Sequence, residues 1–102
     1  MTSNVPDPHA AGRDAVLRTV LDGAGETDPS LRYAAAEGVG MPDDLRELVE
    51  KVHRHAYKVT DEEIVALQVK YADDQLFEII VSAALGASRQ RLLAGLKALE
   101  EA

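Results

Sequence analysis

The chain has 102 residues, 46% of them hydrophobic, which fits one domain with a single core. It has no Cys, which excludes disulfides, thiolate nucleophiles and thiolate metal ligands. A net charge of −7 and sparse aromatics (three Tyr, one Phe, no Trp) argue against nucleic acid or an anionic membrane as partner, because those need basic patches or stacking platforms.

Residues 1–8 are expected to be a disordered lead-in, and 9–102 a single helical domain. The opening "MTSNVPDPHA" has neither a basic nor an apolar region of the kind that directs export, so a cytoplasmic location is expected. Asp7-Pro8 gives an N-cap with proline at the first helical position. Val16, Leu17, Val20, Leu21 and Ala24 follow at helical spacing, and "DGAG" at 22–25 stops this helix. Asp28-Pro29 repeats the start signal for a short helix, "SLRYAAAEG", ending at Gly38.

Pro42-Asp43-Asp44 opens a third helix with acids at its positive end. Leu45, Leu48, Val49, Val52 and Ala56 form its apolar stripe. In the fourth, Thr60 and Glu63 make a capping box, and Val59 and Ile64 are spaced as its hydrophobic staple. Ile64, Leu67 and Tyr71 should face the core. "ADDQ" at 72–75 starts a fifth helix running to about Leu99. Its first half, "LFEIIVSAALGA", is nearly apolar all round and is expected to be the central buried helix. Ala83, Ala84, Gly86, Ala87 and Ser88 keep it slender, so neighbouring backbones approach closely. Its second half is expected to place Leu92, Leu96 and Leu99 inside. The segment from Ile79 to Ala87 is too short to span a bilayer.

The pair His53 and His55 in "KVHRHAY" would share one face of a strand, but on a helix residues two apart diverge by about 200°. With no i, i+4 partner set, no metal site is expected. His53 shares a flank with Arg46, Glu50 and Tyr57, where Glu50 is placed to orient it. This flank is either the polar border where the helix meets a neighbour or second subunit, or the seat of acid–base chemistry. Glu78 is the one charge between Leu76 and Ser88, on a strip with Gln75, Ser82 and Arg89. It must reach solvent or find a partner. The functional alternative makes it a carboxylate lining a pocket that faces His53. Arg46, Glu50, Tyr57, Ser82 and Arg89 are the candidate binding residues. No Gly-rich phosphate loop and no nucleophile elbow is present.

The stretch from Leu45 to Leu99, with "AYKVTDEEIVAL" and then "DDQLFEIIVSAALGASRQRLLAGLKAL", resembles the carboxymuconolactone decarboxylase and alkylhydroperoxidase-D-like family. The shared features are the "TDEEI" helix start, the acidic turn and the helix with glutamate among apolar residues. The resemblance implies an all-α fold: a small orthogonal bundle of about five helices with a long central C-terminal helix. It also implies assembly into trimers or hexamers. The family's redox motif pairs Glu, Cys-x-x-Cys and His, and a chain without cysteine cannot carry that activity. No catalytic role is transferred from the motif, and no cofactor is expected. The expectation is an oligomeric accessory or binding protein, associating with itself or with a protein partner. The alternative is a cofactor-free decarboxylase or lactone-acid lyase acting on a small organic acid through His53 and Glu78.

Overall fold

A computed structural model describes residues 10–101, with the side chains of residues 10–13 and Val16 not described. The predicted Asp7-Pro8 helix start and the lead-in lie outside those residues. The described chain is all-α: α1 (Ala10–Asp22), α2 (Pro29–Glu37), α3 (Asp43–His55), α4 (Asp61–Gln68) and α5 (Asp73–Glu101), with a 3₁₀ turn at Ala56–Lys58.

Several helix boundaries have a local cause. The Asp28 side chain accepts from the Ser30 amide 3.1 Å away, and Pro29 occupies the first turn of α2. Gly38, at φ 76°, ends α2. Its amide and that of Val39 both reach the Ala34 carbonyl, at 2.8 and 3.2 Å. The acids Asp43 and Asp44 start α3, and His53, Arg54 and His55 end it, matching both poles of its dipole. Thr60 and Glu63 form the predicted capping box of α4. At the start of α5 the Gln75 side chain reaches back to the Ala72 amide at 2.8 Å, half of the same device.

The core gathers Ala35, Met41, Leu45, Leu48, Val49, Val52, Leu76, Ile79 and Ala83, with Ile64, Leu67 and Tyr71 packed against it as expected. The α3 stripe ends at Val52, because the helix stops at His55 and the 3₁₀ turn carries Ala56 to the surface. The most extensive helix pairing is α2 on α5. It is close because Gly86 lies directly against the Ala36 backbone: a Cβ there would sit 1.9 Å from the Ala36 carbonyl oxygen. This is the close approach that the small residues of α5 predict.

The fifth helix departs from expectation in how it is covered. Only one face of its first half is buried, through Leu76, Ile79, Ser82, Ala83, Gly86 and Ala87. Phe77, expected inside a helix buried all round, is 68% exposed. From Ser88 to Glu101 every residue is exposed except half-buried Leu96. Leu92 and Leu99, expected inside, are 39% and 74% exposed. Twenty-nine residues at about 1.5 Å each span about 43 Å, and the other four helices are too short to cover that length. The described residues accordingly form an elongated body, 52 × 29 × 20 Å.

Candidate functional site

His53 lines a cleft of about 590 Å³ together with Gly38, Met41, Arg46, Glu50 and Arg54, between the end of α2 and one side of α3. Its ring is half-buried, with Nε2 2.7 Å from the Ala35 carbonyl oxygen. A carbonyl only accepts, so Nε2 carries a proton and donates it there. Ala35 belongs to the last turn of α2, where its carbonyl has no partner within the helix and accepts only a shared hydrogen bond from the Gly38 amide, at 3.2 Å. His53 therefore caps the negative end of α2 from a neighbouring helix. The ring also lies against Gly38, where a Cβ would come within 3.3 Å of it. At the other end of the residue, the Arg91 guanidinium donates to the His53 backbone carbonyl, fastening α5 to the end of α3.

The flank predicted around His53 forms in part. Arg46 and Glu50 share its cleft, but Tyr57 does not. Helical spacing fails for Tyr57 because α3 has already ended. It stands 81% exposed in the 3₁₀ turn, its ring edge-on to His55 at 5.8 Å. Arg46 is 2.5 Å from Asp43, and Glu50 is 3.9 Å from Arg54. Among the described residues Glu50 thus faces Arg54, and no hydrogen bond joins it to His53.

Glu78 sits elsewhere. Its carboxylate accepts from the Glu26 amide at 2.7 Å, the Thr27 amide at 3.1 Å and the Thr27 hydroxyl at 2.7 Å. It anchors the α1–α2 loop onto α5. Gly25 permits this, since a Cβ at that position would lie 2.5 Å from the Glu78 carboxylate oxygen. Burial pushes the Glu78 pKa up. The Glu26 amide, the Thr27 hydroxyl and amide, and the nearby Arg32 charge outweigh that and hold the carboxyl below its ordinary value. Glu78 does not line the His53 cleft, so the pocket expected to hold both is not formed.

Two other predicted binding residues also have structural surroundings. Ser82 is fully buried on the core face of α5. Arg89 pairs with Asp14 at 3.1 Å and ties α1 to α5. Arg32 escaped the sequence reading. It is 3% exposed and donates to the Val20 carbonyl at 3.0 Å, closing the end of α1 onto α2. The signal was present, since Arg32 lies three and four residues before the buried Ala35 and Ala36 and so on their face. Among the described residues no group of three or more His, Cys, Asp or Glu is placed to hold a metal ion. None of their helices is long and apolar enough to cross a membrane.

The outer side of α5, opposite its core face, is uncovered among the described residues. Phe77, Leu92 and Leu99 are exposed there, and Val81, Leu85 and Leu96 are half-buried. Scattered surface apolar residues are ordinary, whereas these fall along one side of a single helix.

No family model matches the chain, and no curated protein or solved structure matches it either.

Proposed function

We propose that the chain is a divergent, cysteine-free member of the carboxymuconolactone decarboxylase and alkylhydroperoxidase-D-like family, working as an oligomeric accessory or binding protein without redox activity. The all-α architecture agrees with this reading, and the lack of cysteine removes the thiol chemistry. The observation that carries it is the apolar outer face of α5, exposed along a helix that overhangs the body. A face of this kind gains from being covered, at about 25 cal/mol per Å² of apolar surface.

The competing acid–base reading, His53 with Glu78 acting on a small organic acid, finds less support. His53 is engaged with the Ala35 carbonyl, and the Glu78 carboxylate with three donors of the α1–α2 loop. A general acid and base must both come within reach of one substrate, and these two line no common cleft.

Light scattering across a concentration series tests the proposal. The expected result is a mass well above the 11.0 kDa of one chain, rising with concentration. A chain that remains a monomer at millimolar concentration, and that turns over small lactone acids with loss of rate in both His53→Ala and Glu78→Gln, would reverse it.

A further inference from the structure

The outer face of α5 has a regular pattern. Val81, Leu85, Ser88, Leu92, Gly95 and Leu99 recur in steps of four, three, four, three and four. That is the 3.5-residue repeat by which two helices mesh side by side. None of the six is charged. The basic residues on either side are turned back to their own chain, Arg89 to Asp14 and Arg91 to the His53 carbonyl.

Size alternates along this seam. Leucine stands at 85, 92 and 99, and Ser88 and Gly95 stand between them. In a parallel pair like positions meet, so layers of two leucines would alternate with layers of two small residues, and the gap between helices would vary along the seam. In an antiparallel pair the four inner layers each join a leucine to a glycine or serine of the other helix, and only the two outermost layers join two bulky residues, Val81 and Leu99. Helix spacing follows the side chains at the contact, so the antiparallel pairing holds the inner layers at a more even spacing than the parallel one does.

We infer that two copies of this chain associate through α5 in antiparallel, two-fold fashion. Leu85 packs on Gly95 of the second copy, Ser88 on Leu92 of the second copy, and Val81 on Leu99 of the second copy. The inference deepens the proposed function by naming the partner of the α5 face, and it rests on that reading. The core face of α5 is opposite the seam, so the two bodies lie on the far sides of the paired helices and do not collide. The seam is isologous, so it closes after two copies, alone or as the two-fold of a larger closed assembly. A seam along one face of a single helix is smaller than the standard interface, which buries about 1,600 Å² in total. A dissociation constant in the micromolar range is therefore expected, not a permanent dimer.

The native chain has no cysteine, so single thiols report orientation cleanly. Ser88→Cys and Leu92→Cys, one carrying a mass tag, are oxidised with glutathione disulfide separately and mixed. The antiparallel seam predicts a cross-linked product in the mixture at least ~10-fold above either variant alone. Strong cross-linking of each variant with itself, with no gain on mixing, overturns the antiparallel arrangement. In parallel, Leu92→Glu is expected to raise the dimer dissociation constant at least ~100-fold, since two charges enter the apolar seam, with helical content unchanged. If Leu92→Glu still associates like the native chain, the seam is wrong while the oligomeric reading stands. A native chain that is monomeric at every concentration overturns both.

Discussion

Replacing Gly86 with alanine isolates the contact that sets how α2 and α5 pack. A Cβ there would lie 1.9 Å from the Ala36 carbonyl oxygen and 2.5 Å from both its carbonyl carbon and its Cα. Ordinary nonbonded separations are about 3.5 Å, so the shortfall is about 1.6 Å at the carbonyl oxygen and about 1 Å at the two carbons. No rotamer relieves a backbone contact, and α2 must move away from α5. The fully or nearly buried Ala35, Ala36, Ala83 and Ala87 then lose part of their dispersion contact. A gap of 0.5–1 Å forfeits roughly a quarter to a half of each such interaction. Overpacking of this kind costs about 1–3 kcal/mol, and with the closest Cβ approach of any described glycine the upper end applies. Helix propensity works the other way, favouring alanine by about 1 kcal/mol. The net expectation for Gly86→Ala is a loss of about 2 kcal/mol, or a fall of roughly 8–16 °C in Tm for a chain of this size. Gly95→Ala is the control: it lies in the same helix with nothing within 4 Å of its Cβ position. There the propensity term stands alone, and a gain of about 0.5–1 kcal/mol is expected. Urea unfolding measures both, at concentrations where stability no longer depends on dilution, so that association does not enter. If Gly86→Ala is as stable as Gly95→Ala, the α2–α5 contact is not as close as described and the reasoning is refuted.

Acid should destabilise the fold through Glu78, Glu63 and Asp44, all held below their ordinary pKa. For Glu78 the loop amides and the Thr27 hydroxyl overcome burial; for Glu63 the cause is first the Lys51 hydrogen bond, and for Asp44 first the Lys70 hydrogen bond and then Tyr71. A lowered folded pKa means the unfolded chain binds more protons, so this stability is fully present above about pH 4.5 and is lost as pH falls through the folded values. Glu78→Gln should cost about 1–2 kcal/mol at pH 7 and flatten the pH dependence of the urea midpoint between pH 5 and about 3; an unchanged slope would show that Glu78 is not the coupled group. His53→Ala should cost about 1 kcal/mol and speed amide hydrogen exchange at Gly38 and Val39, because the Ala35 carbonyl loses the closer of its two donors; unchanged exchange would place the His53 contact outside the native ensemble. Thr60→Ala removes the cap of α4 and should cost about 1 kcal/mol, with Glu63→Ala costing no less, since Glu63 both completes the box and meets Lys51. A Glu63 change smaller than the Thr60 change would contradict the shared role.

Local chemistry made most of the backbone legible. Asp28-Pro29, Gly38, Thr60 with Glu63, and the acids at 43–44 and 73–74 state where helices start or stop, because caps and dipoles act within one turn. The core-facing stripes of α3 and α4 follow from a 3.6-residue period. The slender side of α5 was legible as small residues, though not that Ala36 is what Gly86 meets.

The rest depended on contacts distant in sequence. Periodicity shows that α5 has apolar residues all round, yet it cannot say which side is covered. That was decided by the lengths of the other four helices, which bury Ile79 and Gly86 and leave Phe77, Leu92 and Leu99 outside. A lone carboxylate among apolar residues looks the same in sequence whether it lines a pocket or holds a loop. The 52-residue separation between Glu26 and Glu78 is closed only by folding, which turns Glu78 into an anchor. His53 was separated from His55 by helical geometry alone, but its partner, the Ala35 carbonyl eighteen residues away, belongs to another helix end. The sequence by itself determined an all-helical chain without cysteine and the ends of most of its helices, because those are properties of single turns. The tertiary structure decided which polar groups are engaged and which apolar face is left open, because both depend on what packs against what.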